Sequence, residues 1–167
     1  SLQTEMLVHY VRAAIAAVEG RCAKILLERR FTYRTQFWAQ DAFYTLPVAP
    51  VRSLESLHLI DRSGVRQLLS VDFYRIEVGL HGTRLYVGQG GLPPISKDAV
   101  AEVAFKAGYG SAWSQVPSDL AQATLLLATH FYEYRHEVTL TFGCMPFGVT
   151  SLLERYRPMR LGAGAQS

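Results

Sequence analysis

The sequence predicts an α+β fold in which a long N-terminal helix and the C-terminal helices pack together, with a small antiparallel β-sheet inserted between the first two helices. Apolar residues recur at helical spacing near both ends of the chain, and between them apolar and polar residues alternate in short runs. The length of 167 residues suits one domain. With 49% hydrophobic and 19% charged residues, we expect a packed core rather than disorder.

The first predicted helix covers residues 4–28. Its apolar side chains recur at three- and four-residue steps and so share one face. They are Leu7, Val11, Ala14, Ile15, Val18, Cys22, Ile25 and Leu26. Gly20 weakens the middle of the helix, but the stripe continues beyond it, so we expect the helix to continue as well.

The inserted sheet is predicted from a change to a two-residue period. Bulky aromatic residues alternate with polar ones over residues 31–37. Residues 54–60 and 65–69 flank a four-residue turn, Asp61 to Gly64, which is typical of a hairpin. Three more short strands are expected, at residues 73–78, 83–87 and 100–107. We therefore expect one short-stranded antiparallel sheet between about residues 30 and 107.

The C-terminal helices begin at a clear start signal. Pro117 suits a first helical turn, and Ser118 or Asp119 can satisfy free amide groups there. A strong apolar stripe continues to about residue 137, and a short last helix is expected at residues 148–157. We therefore predict an α+β domain over residues 1–147, followed by a short helix and tail over residues 148–167.

The charge is mildly basic, with a formal net charge of +3 and a pI near 9.0. Such a balance permits contact with nucleic acid or an acidic partner and requires neither. Basic residues crowd the stretch 21–34, where Lys24, Arg29, Arg30 and Arg34 could face DNA. The alternative, which we favour, is that these residues are solvated or pair with acidic side chains. The aromatic Tyr33, Phe37 and Trp38 could likewise stack on bases, but the apolar side of a strand explains them more simply.

Metal and cofactor sites find little support. Cys22 and Cys144 are far apart and have no zinc-site spacing, so we expect two reduced thiols. Glu133 and His136 are three residues apart and could share a metal, but the second helical motif that such a site needs is missing. The glycine-rich run at residues 88–91 is followed by no Lys-Ser or Lys-Thr pair, so it is no phosphate loop. We expect no metal and no cofactor.

Enzyme and membrane classes are disfavoured as well. The chain contains no G-x-S-x-G elbow and no Cys–His signature of a nucleophilic enzyme. No apolar run approaches the roughly 20 residues that span a bilayer, and the N-terminus does not resemble a signal peptide. We therefore expect neither an enzyme nor a membrane protein. The enzyme hypothesis predicts a concave pocket that contains titrating groups with strongly perturbed pKa values.

Several stretches, taken in order, resemble a known family. They are LPVAPVRS at 46–53, FYRI at 73–76 after the turn at 61–64, AGYG at 107–110 before Val116–Pro117, LLLATHFYEYR at 125–135, MPFGV at 145–149 and LLERYR at 152–157. As an ordered set they resemble the head–tail connector, or adaptor, proteins of long-tailed phages and gene transfer agents. The resemblance covers roughly residues 5–160. Relatives usually begin with an extra short helix, whereas this chain begins almost at the long one.

The resemblance implies a structural role in the neck of a virion or phage-like particle. Such proteins form a ring, expected here as a dodecamer of identical subunits, beneath the portal protein. The ring extends the channel for double-stranded DNA, without sequence-specific binding, and presents a surface to the stopper or another neck protein. The resemblance further implies assembly in the bacterial host cytoplasm. The alternative function is a small sequence-independent nucleic-acid-binding module that uses residues 21–34.

The resemblance also implies where the portal is bound. The C-terminal segment of the family reaches into the portal, which carries over to Leu153, Arg155, Tyr156, Arg157, Met159, Arg160 and Leu161. Tyr156 and Met159 are apolar groups with little core of their own to enter, and arginines flank them, a composition that is enriched in protein interfaces. The alternative is a frayed basic tail without contacts. Lys24, Arg29, Arg30 and Arg34 are the candidates for the channel wall.

Overall fold

The computed structural model describes residues 2–37, 43–79, 82–87, 94–135 and 145–157. Helices and two small antiparallel sheets make up this part of the chain, which confirms the predicted α+β class. The chain divides into two compact units, a helical one built from Ser1–Lys24 and Ser118–Ser167 and a β one built from Ile25–Pro117.

The helical unit contains α1 (Leu2–Cys22), α2 (Ser118–Glu133) and α3 (Phe147–Leu153), which continues into a 3-10 turn at Glu154–Tyr156. The second half of the predicted stripe of α1 enters its core, whereas Leu7 and Val11 stay exposed. The buried apolar residues are Ala14, Val18, Cys22, Leu120, Ala123, Leu127, Ala128, Val149 and Leu153. Among the described helices, none is long and apolar enough to cross a membrane.

The first helix ends at Cys22, earlier than the predicted residue 28. Ala23 adopts a left-handed conformation with φ of 52°, which no α-helix continues through. Beyond it the amide of Ile25 donates to the Ala49 carbonyl at 2.8 Å, and the amide of Glu28 donates to the Gly110 carbonyl at 2.7 Å. Ile25 and Leu26 are both buried, as their apolar character predicted. They belong to the β unit, however, and not to the first helix.

The described residues of the β unit form the strands β1 (Arg29–Thr35), β2 (Phe43–Thr45), β3 (Val51–Ile60), β4 (Arg66–Leu68), β5 (Tyr74–Gly79), β6 (Gly82–Val87) and β7 (Val100–Ala107). They form two sheets, β1-β7-β3-β4 and β2-β6-β5. The prediction of one sheet was wrong, and it missed β2. Periodicity indicates which residues alternate but not which strands pair.

The segment between β2 and β3 passes the chain from one sheet to the other. Pro47 and Pro50 have no amide hydrogen to give to a ladder. Thr83 of β6 satisfies the groups beside them, because its carbonyl accepts from Leu46 at 2.9 Å and its hydroxyl from Val51 at 3.2 Å. The Ala49–Pro50 peptide bond in this segment is cis.

The first sheet is built around β7, which is buried on both faces. One face carries Val103 and Phe105 into the core of the β unit, where Phe105 stacks on Phe31 of β1 at 5.7 Å between ring centroids. The other face carries Glu102, a charged residue that is buried among apolar neighbours of the same strand. This carboxylate therefore needs partners of opposite charge.

The hairpin turn at residues 61–64 has the predicted chemistry. The Asp61 carboxylate accepts bonds from the amide and hydroxyl of Ser63 and from the amide of Val65, at 2.6–2.9 Å. These bonds, that of the Ser63 hydroxyl above all, hold the pKa of Asp61 below its usual value. Gly64 closes the turn with φ of 85°, a conformation that favours glycine.

The AGYG stretch packs against the start of the β unit. Gly108 has φ of 140°, and a Cβ atom there would overlap the backbone of Glu28. Its amide donates to the Pro50 carbonyl at 2.9 Å, and the amide of Tyr109 donates to the Leu26 carbonyl at 3.2 Å. This stretch therefore fixes residues 25–28 through backbone contacts that only glycine allows.

Candidate assembly surfaces

The base of the C-terminal segment is anchored in the helical unit. Leu153 is only 1% exposed and lies with Val149 in the core. Its side chain therefore holds α3 in place and does not face outward. Tyr156 is partly buried as well. The sequence had indicated that this side chain has little core of its own to enter, and the structure differs from that expectation.

Asp119, at the start of α2, binds the 3-10 turn that follows α3. The Tyr156 hydroxyl donates to Oδ1 of Asp119 at 2.7 Å, and Nη2 of Arg155 lies 3.0 Å from Oδ2. Oδ1 also accepts from the amide of Leu120 at 3.1 Å. One carboxylate therefore connects the beginning of α2 to the turn from which the tail departs.

Arg155 and Tyr156 also interact with each other. The guanidinium donates to the Tyr156 hydroxyl at 2.7 Å and lies 4.8 Å from the ring centroid. Burial, and then the hydrogen bond to Asp119, raise the pKa of Tyr156 above its ordinary value. The phenol therefore stays protonated and remains a donor under ordinary conditions.

The rest of the predicted portal-binding set lies at the surface or beyond the described residues. Arg157 pairs with Glu154 at 3.2 Å, and about half of its side chain is exposed. Arg155 is also mostly exposed despite its contacts. Met159, Arg160 and Leu161 lie outside the described residues.

Lys24, the first of the four predicted DNA-facing residues, is only 6% exposed. Burial lowers the pKa of its ammonium group, while the nearby Cys22 opposes that effect. In this arrangement Lys24 does not present its charge at the surface.

The three arginines lie on β1 and differ in their contacts. Nε of Arg30 lies 2.6 Å from a carboxylate oxygen of Glu55, and Arg34 bonds Glu102 at 2.7 Å. The guanidinium of Arg29 lies 5.1 Å from the Phe31 ring centroid. Arg30 and Arg34 thus make the acid pairs that the alternative interpretation expected.

Glu102 receives two arginines from strands that lie on either side of β7 in the same sheet. Arg34 donates to Oε2 from β1, and Arg66 donates to Oε1 from β4. The bonds from Arg66 and then Arg34 hold the pKa of Glu102 below its usual range. Glu102 therefore offsets the charge of one of the two arginines, and the three-residue cluster as a whole keeps a single positive charge.

Sequence reasoning missed a second surface, on β2, β5 and β6. Arg75, Tyr86 and Phe43 are neighbours across the three strands. Arg75 lies 5.1 Å from the Tyr86 ring centroid, Arg84 lies 4.6 Å from that of Phe43, and the two rings are 5.6 Å apart. We call these four residues the Arg–aromatic ladder. In the sequence, the alternation of side chains along β5 and β6 was the one signal for the ladder. It does not show which residues become neighbours, because that depends on which strands pair.

No group of three metal-binding side chains occurs within the described ranges. Glu133 of the possible Glu133–His136 metal pair is described, but His136 lies outside those ranges. The glycine run at residues 88–91 and Trp38 lie outside them as well. Asp119 was read from sequence as a helix-start residue alone. Its contact with Tyr156 spans 37 positions, and no local pattern signals it.

Comparison with solved structures reveals close relatives. The chain is similar to a chain in the neck of an empty gene transfer agent particle, computed with C6 symmetry, at 41% identity and a TM-score of 0.85. That match covers 96% of this chain and 80% of the other. A neck of a native particle, computed with C12 symmetry, gives 40% identity, coverages of 96% and 86%, and a TM-score of 0.84. A virion of a native gene transfer agent particle gives 40%, 95% and 79%, and 0.85.

The chain belongs to the head–tail connector, or adaptor, family. The resemblance drawn from the sequence is thereby confirmed, and the adaptor is a structural neck protein. No protein-family model matches the adaptor, and no curated protein matches it.

Proposed function

We propose that the adaptor forms a ring, expected as a dodecamer, that joins the portal to the stopper or tail and extends the DNA channel. The observation that carries this proposal is the likeness, at about 40% identity over nearly the whole chain, to a chain of a neck computed with C12 symmetry. In a cyclic ring, one surface of each subunit meets a different surface of its neighbour. The role is geometric and has no chemical step.

The C-terminal segment, residues 148–167, is the proposed portal-binding part, and residues 1–147 form the body of the ring. Leu153 and Tyr156 anchor its base through core packing and the bond to Asp119. Arg155 and Arg157 then stand exposed at the point where the chain leaves the 3-10 turn. Met159, Arg160 and Leu161 follow directly and would make the deeper contacts with the portal.

The channel wall needs little attraction for DNA, because strong binding to phosphate would slow its passage. The pairing of Arg30 with Glu55 and of Arg34 with Glu102 agrees with that requirement. These pairs, together with the buried Lys24, also weaken the alternative of a nucleic-acid-binding module. That module would bind duplex DNA as an isolated chain, with a steep dependence on salt.

In the proposed role, double-stranded DNA passes through the ring without sequence-specific binding. Assembly of the ring takes place in the bacterial host cytoplasm.

The test compares the full chain with a chain that ends at Arg157, using the portal ring of the same particle. This truncation removes the proposed deep contacts and leaves Leu153 and Tyr156 in place. We expect affinity to fall by about tenfold or more, the effect of losing one interface hot spot. A chain that ends at Leu161 is the matched control and should bind like the full chain. Equal binding by all three would contradict the proposed deep contacts of Met159, Arg160 and Leu161 with the portal.

A further inference from the structure

The Arg–aromatic ladder lies on the face of the second sheet that points away from the core. On the opposite face, Tyr74, Ile76 and Leu85 pack into the core of the β unit. Because side chains alternate along a strand, Arg75 and Arg84 point the other way, and both are exposed. Tyr86 and Phe43 are half-buried between them and supply the flat surface on which the guanidinium groups rest.

The arginines of the ladder have no carboxylate partner among the described residues. Arg84 lies directly opposite Glu77 in the register, yet its guanidinium stacks on Phe43. In the first sheet, by contrast, Arg30, Arg34 and Arg66 each pair with a carboxylate. The ladder thus places two guanidinium groups against aromatic rings, without a carboxylate partner among the described residues.

Stacking on a ring has a direct consequence for recognition. It fixes the plane of the guanidinium and lowers the conformational entropy that binding must remove. The free N–H edge then matches a planar acceptor, with two parallel hydrogen bonds to a carboxylate. The ladder is therefore organised for two such acceptors before any partner arrives.

We propose that the ladder is a docking surface for a carboxylate-bearing segment of a neighbouring neck protein. Arginine and aromatic residues together are typical of the centres of protein interfaces. Duplex DNA fits less well, because the exposed Glu77 would repel phosphate and two arginines neutralise few charges. A protein partner can match both signs, with acids for the arginines and a base for Glu77.

A ladder-to-ladder contact between two copies of the adaptor does not fit a ring. Glu77 of one copy could meet Arg84 of another in reciprocal pairs only across a twofold axis that relates the two copies, and neighbours in a cyclic ring are not related by such an axis. The inference rests on the proposed neck function in one respect, since the neck supplies the neighbouring chain. It does not depend on the C-terminal segment.

The test places a photo-reactive residue in the assembled particle. Thr45 is exposed and pairs with Arg84 in the register, so a Thr45→p-benzoylphenylalanine variant reports on what lies over the ladder. We expect a crosslink to a different neck protein, within a few residues of Asp or Glu. In an R75Q/R84Q background the crosslink should fall by about fivefold or more.

Two controls separate specific docking from loss of charge or fold. Arg62→Gln removes an exposed arginine of the turn at residues 61–64 and should leave the crosslink unchanged. The R75K/R84K variant keeps both charges but not the planar fork, and it should also weaken the crosslink. Melting temperatures of all variants establish that they fold.

Charge reversal completes the test. R84E should abolish the crosslink, and Lys in place of the contacted carboxylate of the partner should restore it. A crosslink to DNA or to a second copy, an unchanged yield in R75Q/R84Q, or no crosslinked protein in particles that contain the adaptor would each overturn the proposal. Failure of the unaltered adaptor to bind the portal ring would instead count against the proposed function.

Discussion

The hydroxyl of Tyr156 donates a 2.7 Å hydrogen bond to Asp119, a residue 37 positions earlier in the chain. The same carboxylate pairs with Arg155 at 3.0 Å. Both contacts fall at the last described turn before the tail. The position of the last described turn, Glu154–Tyr156, therefore depends on one side chain of α2.

Replacing Tyr156 by Phe should cost about 1 kcal/mol of unfolding free energy, because it removes one hydrogen bond. Asp119→Ala should cost about 2 kcal/mol, since it leaves both the hydroxyl and the Arg155 guanidinium without their acceptor. Urea unfolding measures the totals, and hydrogen exchange at residues 154–157 should speed up in both variants. Glu154→Gln is the control, because its pair with Arg157 is largely exposed and contributes little. An equal effect of all three changes would contradict the anchoring role.

Leu153→Ala should destabilise the helical unit by about 3 kcal/mol, because it leaves a cavity at a buried position. The melting temperature should fall by roughly 6–12 °C for a chain of this size. Leu125→Ala is the matched control, since that leucine is 50% exposed on α2 and should cost below about 1 kcal/mol. A similar small loss in both variants would mean that Leu153 is free to leave the core and contact a partner directly.

Glu102→Gln should change how stability depends on pH. The folded-state pKa of Glu102 lies below its unfolded value, so its contribution is present above the unfolded pKa and is lost as the pH falls through the folded pKa. We expect Glu102→Gln to cost about 1–2 kcal/mol near pH 7, and this cost should shrink as the pH falls through the folded pKa. Urea unfolding over a series of acidic pH values, compared with pH 7, gives the comparison. A constant difference between the proteins would show that the bonds from Arg34 and Arg66 do not depend on the charge of Glu102.

Gly108→Ala should destabilise the β unit by about 3 kcal/mol or more. The new Cβ would overlap the backbone of Glu28, and φ of 140° is unfavourable for alanine. Gly20→Ala is the opposite case, because nothing lies within 4 Å of its Cβ position and the residue is helical. That change should stabilise the protein by about 0.5–1 kcal/mol. Thermal unfolding of both variants checks the sign as well as the size.

The chemistry of residues that are neighbours in the sequence was enough to predict several elements of the fold. The turn at residues 61–64 follows from Asp61 and Gly64, the start of α2 follows from Pro117 and Ser118, and β7 was found with its observed bounds. The ordered family-like stretches led to the correct family. The turn, the helix start and the strand depend on residues that are close together in the chain. The family resemblance depends only on the order of short stretches along it. None of these predictions requires knowledge of contacts between distant residues.

Tertiary structure decided what those signals could not. The first helix ends at Cys22 because Ile25 and Glu28 pair with Ala49 and Gly110. Two sheets form because strand pairing, which periodicity does not encode, brings β2 to β6 and β7 between β1 and β3. The same long-range pairing assembles the Arg–aromatic ladder and brings Tyr156 to Asp119. Side chains that meet only after the chain has folded leave no local pattern in the sequence, and both candidate surfaces depend on such side chains.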